Sequence, residues 1–188
     1  MNVYHPLNSI PKGAATWITF AALLVLFLVL GKLASPDLNV DGVTHKRIIA
    51  LEMPANKTDA DAVIKEWAGA GRLDAVHRSI WWDNLFIPAY TTLTALGFVI
   101  VARAFFTEGS PEYEAALLIA WLPWLAGLFD YVENYAMLRM LGGFSDDTLP
   151  SLARWSSTTK FAIILPLAAW VLVSLVLLGL KYLIGRWK

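Results

Sequence analysis

Long apolar runs alternate with polar connections along the chain, and this pattern predicts four membrane-spanning helices. About 20 predominantly apolar residues are needed for a helix to cross the hydrocarbon core of a bilayer. Segments of at least this length lie at residues 14–33, 82–106, 115–141 and 157–184. The predicted fold is an all-α membrane protein, a four-helix bundle that makes residues 1–188 a single integral membrane domain.

The connection between the first two spans, residues 36–79, is long enough to form a small cap outside the membrane. The β-branched residues within Val43–Met53 favour an extended segment there. The pattern Thr58-x-x-Asp61 is a helix capping box, and it predicts a cap helix over residues 59–70. The tryptophan of that helix, Trp67, is expected to rest on the membrane surface or on the end of the bundle.

Composition and charge support a membrane location. Hydrophobic residues make up 57% of the chain and charged residues only 16%, whereas soluble domains average about 25% charged residues. The 15 basic and 15 acidic residues cancel, so no nucleic-acid partner is expected. The absence of cysteine excludes disulfides and thiolate nucleophiles. The layout is typical of small proteins of the bacterial cytoplasmic membrane, and basic tails without acidic residues favour a cytoplasmic location for both termini.

Three polar residues lie inside the third predicted span, where contact with lipid would be costly. Asp130, Glu133 and Asn134 have the spacing i, i+3, i+4, so they share one face of a helix. A carboxylate in the hydrocarbon core costs roughly 2.5 to 3.5 kcal/mol on insertion scales unless it is protonated, paired or facing water. This face is therefore predicted to point into the bundle.

Further polar residues are predicted to lie in the same leaflet, because consecutive spans run in opposite directions. Asp83 and Asn84 stand at the start of the second span, and Tyr90 lies farther along it on the face of Asp83. Lys160 stands at the start of the fourth span. Its long side chain can reach an ion pair with the carboxylates of the third span.

Residues near the opposite membrane surface are interpreted as plain anchors. Arg103 lies near the end of the second span, and Trp121 and Trp124 lie in the third. Tryptophan favours the boundary between lipid headgroups and hydrocarbon. No chemistry is predicted for this end of the bundle.

The polar cluster allows two functional interpretations. In the first, a carrier or a complex subunit binds a proton, a cation or a small lipophilic ligand, since close carboxylates repel one another unless positive charge joins them. The predicted binding residues are Asp130, Glu133, Asn134, Lys160, Asp83 and Asn84. In the second, the protein is an intramembrane enzyme that uses acid–base chemistry on a lipid or another apolar small molecule. Its candidate catalytic residues are Glu133, Asp130, Asp83 and Tyr90.

A third interpretation is a purely structural or assembly subunit, whose polar network fixes which helices pair. Neither a metal nor another cofactor is predicted, because the chain lacks the Glu-x-x-His pairs with which helix bundles bind metals. The expected partners are membrane lipids and, in a homo-oligomer or a larger membrane complex, other protein chains.

Overall fold

In a computed structural model of the protein, residues 3–143 and 146–185 are described. The α-helices in this part of the chain are α1 Ala14–Leu33, α2 Ile49–Glu52, α3 Lys57–Gly69, α4 Leu73–Phe105, α5 Pro111–Ile119, α6 Leu122–Leu141 and α7 Thr148–Gly185. Helices α1, α4 and α7, and α5 together with α6, are long and apolar enough to cross a membrane. The described residues contain no β-strand, and the predicted all-α four-helix membrane bundle is confirmed.

The second and fourth spans belong to helices that extend beyond the predicted apolar segments. α4 begins at Leu73 and α7 at Thr148, each nine residues ahead of the predicted starts at 82 and 157. Hydropathy marks only the part of a helix that lies in lipid, whereas the helix itself continues wherever its residues favour the helical backbone.

The third span is interrupted, whereas the sequence predicts one helix over 115–141. α5 ends at Ile119, three residues before α6 begins. Pro123 accounts for the interruption, because proline has no N–H to donate to the carbonyl group four residues earlier and its ring clashes with that carbonyl. The neighbouring carbonyl group of Ala120 is 3.3 Å from Nε2 of His5, which lies far away in the sequence.

The cap is helical and irregular, so the predicted extended segment over Val43–Met53 is wrong. Part of it forms the single turn α2, which packs against α6 and α7. A lone strand has no neighbour to complete its hydrogen bonds, whereas this turn of helix buries Leu51 completely. The predicted cap helix is present as α3. Its N-cap is Asn56 rather than Thr58, because the Asn56 side chain accepts a hydrogen bond from Asp59 N at 3.0 Å.

Trp67 fixes α3 to the membrane helices, as the sequence predicts. Its side chain is 0% exposed and belongs to an apolar cluster shared by the cap, α4, α6 and α7. Its indole N–H donates a hydrogen bond to the carbonyl oxygen of His45 at 2.8 Å. The carboxylate of Glu66 on the same helix accepts a hydrogen bond from Thr44 N and contacts the His45 ring. Apolar packing thus holds the cap on the bundle, and hydrogen bonds hold its irregular segment against α3.

α4 is the central helix of the bundle and packs against α1, α5, α6 and α7. Pro88 lies within it and has no N–H, so the carbonyl group of Asn84 lacks its usual helical partner. The sequence predicts that another helix or water must satisfy a carbonyl group freed near Asn84. The hydroxyl group of Tyr131 on α6 does so by donating a hydrogen bond to this oxygen at 3.0 Å.

A groove separates α1 from α7 along one side of the bundle. α1 packs against α4, and α7 packs against α6 and α4. Within the described parts of the chain, α1 has no extensive contact with α6 or α7. This α1–α7 groove therefore has α1 and α7 as its sides and α4 as its floor.

Gly97 allows α4 and α7 to approach each other closely. A Cβ atom added at Gly97 would lie 2.4 Å from Cγ1 of Val171, far inside van der Waals contact. We expect Gly97→Ala to lower the free energy of unfolding by about 1 to 3 kcal/mol, as overpacked cores do. Unfolding in mixed detergent micelles measures this change.

The matched control for this prediction is Gly179→Ala, because nothing lies within 4 Å of a Cβ atom added at Gly179. This control should be at least as stable as the wild type, since alanine favours a helix more than glycine does. Adding Val171→Ala to Gly97→Ala should recover part of the lost stability. Identical unfolding of the two glycine variants would contradict the close approach of α4 and α7.

Candidate functional site

Lys160 lies at the centre of a buried group of charges between α6 and α7. Its Nζ donates a hydrogen bond to Asp130 Oδ1 at 2.6 Å and another to Glu133 Oε1 at 3.0 Å. The second oxygen of Glu133, Oε2, is also 2.9 Å from Nζ. All three side chains are buried, so the ion pairs that the sequence allows are formed away from water.

α4 contributes the other half of this charge cluster. The hydroxyl group of Tyr90 donates a hydrogen bond to Asp130 Oδ2 at 2.9 Å. The amide nitrogen of Asn134 donates to Asp83 Oδ2 at 2.7 Å and to Asn84 Oδ1 at 3.2 Å. The structure therefore places all of the predicted site residues at one junction of α4, α6 and α7.

The cluster forms the polar end of a cavity of about 580 Å³ in the α1–α7 groove. The charged and phenolic side chains on its wall are Glu52, Asp83, Tyr90, Asp130 and Lys160. Apart from Thr94, the remaining lining is apolar: Phe20, Phe27, Phe86, Leu93, Phe161, Ile164, Ala168, Val171, Leu172 and Leu175. A cavity of this size suits a small molecule, and this lining suits one with a polar end and an apolar body.

Glu52 is a member of the cluster that the sequence does not indicate. It is the last residue of α2, and the cap brings it onto the same cavity wall as Asp83 and Lys160. Burial raises the pKa of Glu52, the positive charge of Lys160 acts against this rise, and the negative charge of Asp130 adds to it. No local pattern points Glu52 inward, since only the packing of α2 on α6 and α7 places it there.

Glu133 and Asn134 stand behind the cavity wall rather than on it. Neither residue lines the cavity, and Glu133 is 0% exposed. Of the predicted acid–base candidates, only Asp130, Asp83 and Tyr90 line the wall that a ligand would meet. Glu133 can influence a ligand only indirectly, because its contact with the wall is its ion pair with Lys160.

The cluster holds more acidic than basic groups. Glu52, Asp83, Asp130 and Glu133 bring four carboxyl groups together with the ammonium group of Lys160. Uncompensated carboxylates are costly when they are buried, so the site favours any positive charge that can reach it. Within the described residues, no group of three or more His, Asp or Glu side chains is arranged to hold a metal ion.

The opposite end of the bundle does not consist of plain anchors, which corrects the interpretation of Trp121 and Trp124. His5 is buried against both, with ring centroids 5.2 and 5.1 Å away. Burial lowers the pKa of His5, and its contact with the carbonyl oxygen of Ala120 acts in the opposite direction. Nδ1 of His5 accepts a hydrogen bond from Leu7 N at 3.3 Å. The ring is therefore neutral and donates from Nε2 to Ala120.

Arg103 holds the same N-terminal segment in place, so it too is more than an anchor. Its guanidinium group donates to the side-chain and main-chain oxygens of Asn8 at 3.1 and 2.8 Å. It also donates to Thr16 Oγ1 at 3.1 Å and to Ile10 O at 2.9 Å. The turn of 3-10 helix Pro6–Ser9 is thereby folded back against α4.

Comparison of the chain with protein-family models, with curated proteins and with solved structures finds no match. A helical bundle by itself does not indicate a function, because one fold serves many chemistries. The charge balance and the lining of the cavity are therefore the observations on which a functional conclusion rests.

Proposed function

We propose that this integral membrane protein binds the cationic end of a small lipophilic molecule, as a carrier or as a subunit of a larger membrane complex. A proton takes the place of the cationic group when no ligand is bound. One observation carries the proposal: Glu52, Asp83 and Asp130 share the polar wall of an otherwise apolar cavity with a single ammonium group, that of Lys160.

The hydrogen bonds within the cluster indicate which carboxyl groups receive the ligand. Asp130 and Glu133 are paired with Lys160. Asp83 is hydrogen-bonded to the neutral amide of Asn134, which does not compensate its charge. Asp83, with Glu52 beside it on the wall, is therefore the preferred partner of a ligand cation.

The lipophilic part of the ligand reaches the cavity from the bilayer. The α1–α7 groove lies between helices whose apolar side chains are largely exposed, as expected for surfaces that face lipid. From Lys160 the apolar wall continues along α7 as far as Leu175, a rise of about 22 Å. A linear hydrocarbon chain attached to an amine fits this arrangement, because its charge meets the carboxyl groups while its chain stays out of water.

We expect Asp83→Asn to weaken the binding of a long-chain alkylamine by about tenfold or more, since a hydrogen bond to a charged group contributes about 1.5 to 3 kcal/mol. Asparagine keeps an oxygen that can accept from Asn134 and removes only the charge. Native mass spectrometry of the protein in mild detergent measures the retained amine. The alcohol of the same chain length measures only the binding of the hydrocarbon chain. Its retention should be the same in Asp83→Asn as in the wild type.

Asp146→Asn is the matched control, because Asp146 is exposed and does not line the cavity. It should retain the amine as the wild type does. Ala168→Phe fills the apolar part of the cavity and should weaken the binding of amine and alcohol alike. Equal retention of amine and alcohol by the wild type would overturn the proposal, and so would equal losses from the two aspartate variants.

A second candidate function, acid–base catalysis on an apolar substrate, is favoured by one specific arrangement. Tyr90 and Lys160 both donate hydrogen bonds to Asp130 on the cavity wall, at 2.9 and 2.6 Å. Such a chain of groups can move a proton to or from a substrate in a water-poor site. The mass of the molecule recovered after incubation separates the candidates, because a carrier returns it unchanged and an enzyme returns a product.

A further inference from the structure

A second cavity, of about 600 Å³, lies at the other end of the α1–α7 groove, and the proposed function does not use it. Its lining comes from the beginning of α1, the last turns of α4 and the last turns of α7. Lys12 and Arg103 are the charged side chains of this lining, and no acidic side chain is among the described residues that form it. Leu175 lines both cavities, so they adjoin along α7.

The guanidinium group of Arg103 is fixed at this cavity by hydrogen bonds to neutral oxygens. Four of the five guanidinium N–H groups donate to oxygens of Asn8, Ile10 and Thr16. All of these acceptors are neutral, so they satisfy the donors and orient the group without cancelling its charge. One N–H group remains, so Arg103 can offer a phosphate its positive charge and a single hydrogen bond.

Lys12 supplies a second positive charge to the same cavity. Its Nζ is 2.7 Å from Glu108 Oε2, and the two side chains are 64% and 63% exposed. Lys12 lowers the pKa of Glu108, and Arg103 contributes more weakly in the same direction. The Glu108 carboxylate thus interacts with both Lys12 and Arg103. Exposed ion pairs of this kind contribute little stability, so Lys12 can turn toward a phosphate at small cost.

The remaining lining suits the body of a lipid. Leu175 and Leu178 line the part that adjoins the rest of the groove, and Trp17 and Tyr182 bring aromatic rings to the lining. Aromatic side chains favour the boundary between headgroups and hydrocarbon. Between Lys160 and Tyr182 α7 rises about 33 Å, close to the hydrocarbon thickness of about 30 Å. The two cavities therefore have their charged ends near opposite membrane surfaces.

We infer that this cavity binds an anionic phospholipid, with the phosphate at Arg103 and Lys12 and the acyl chains along the α1–α7 groove. We infer a negatively charged headgroup from the two basic side chains, and acyl chains from the apolar lining on α7. The headgroup end of this site is distinct from the acidic cluster, because it has the opposite charge and lies at the opposite end of the groove, whereas the apolar surface at Leu175 is common to both cavities. A substitution that changes the charge at one end of the groove therefore tests one site without altering the charged end of the other.

The test is a competition between phosphatidylglycerol and phosphatidylcholine with identical acyl chains, read as lipid adducts in native mass spectra of the full chain in mild detergent. The wild type is expected to prefer phosphatidylglycerol by about fivefold for each basic residue that contacts it. Lys12→Gln should reduce this preference by about fivefold. Arg103→Gln should reduce it as well, although this change also releases the N-terminal segment.

Two matched variants make the test specific to the cavity. Lys181→Gln removes one positive charge from the same end of α7 outside the cavity lining, and it should keep the preference. Gly179→Phe fills the cavity at a position where an added Cβ meets nothing within 4 Å, and it should lower the adducts of both lipids. The same variant should retain an alkylamine at the acidic cluster as the wild type does.

Four results would overturn the inference. The first is equal retention of the two lipids by the wild type, and the second is an equal loss from Lys12→Gln and Lys181→Gln. The third is displacement of the lipid by glycerol 3-phosphate, which would make this a site for free phosphate esters. The fourth is a lipid-free dimer that Gly179→Phe dissociates, which would mean that a second copy of the chain covers the groove.

Discussion

Lys160→Met is expected to lower the free energy of unfolding by about 3 to 5 kcal/mol, because it leaves two carboxyl groups buried without their cation. Asp130 and Glu133 both pair with the Lys160 ammonium group, and they are only 3% and 0% exposed. Methionine preserves most of the length and flexibility of the lysine side chain, so the loss reports on charge rather than on packing. Unfolding in mixed detergent micelles at neutral pH measures it.

The triple variant Lys160→Met, Asp130→Asn, Glu133→Gln separates stability from function. It should recover most of the lost stability, because neutral groups of similar shape often replace a buried ion pair without cost. It should still bind an alkylamine, because Asp83 and Glu52, the proposed partners of the amine, remain on the cavity wall. A triple variant that folds but no longer binds the amine would mean that Asp130, rather than Asp83 and Glu52, receives the cation. If the single variant Lys160→Met were as stable as the wild type, the carboxyl groups of Asp130 and Glu133 would carry no charge for Lys160 to balance.

Trp67→Ala is expected to lower the free energy of unfolding by about 3 to 5 kcal/mol, as the removal of large buried aromatic side chains does. The loss should be concentrated in the cap, because Trp67 joins α3 to the apolar cluster at the end of the bundle. Hydrogen exchange should accelerate over residues 34–72 and remain slow in the centre of α4. Amine binding should also weaken, because the loosened cap no longer holds Glu52 on the cavity wall.

Two other tryptophan variants are controls for this prediction. Trp67→Phe keeps an aromatic ring but loses the hydrogen bond to His45 and part of the packing of the indole, so it should cost less than Trp67→Ala. Trp81→Ala removes a side chain that is 67% exposed and should leave the cap unchanged. Unaltered hydrogen exchange of the cap in Trp67→Ala would contradict its role in holding α3.

The membrane spans were predictable because hydropathy is a local property of the chain. A helix of apolar residues that is long enough to cross the hydrocarbon core is stable in lipid, whichever helices pack beside it. The inward direction of Asp130, Glu133 and Asn134 was predictable for a related reason, since lipid penalises charge and helical spacing puts all three on one face. The proximity of Lys160 followed from the alternating direction of the spans.

The interruption of the third span and the course of the cap were not predictable from local signals alone, because both also depend on distant contacts. Pro123 is a local signal, but the adjacent Ala120 carbonyl finds its partner in His5, more than a hundred residues away. The β-branched residues of Val43–Met53 favour a strand only where another strand can pair with them. The bundle offers an apolar surface instead, and Leu51 is buried on it.

The sequence was therefore sufficient for the number of spans, for the inward-facing polar residues and for their position at one end of the bundle. Tertiary structure alone determined that Asp83 and Asp130 line a cavity while Glu133 stands behind Lys160, and that Glu52 joins them. The reason is that the spacing of residues along a helix sets only the direction in which each side chain points around the axis of that helix. It does not set how neighbouring helices pack. A cavity is a gap between helices, and here it depends on α1 packing against α4 without closing onto α7.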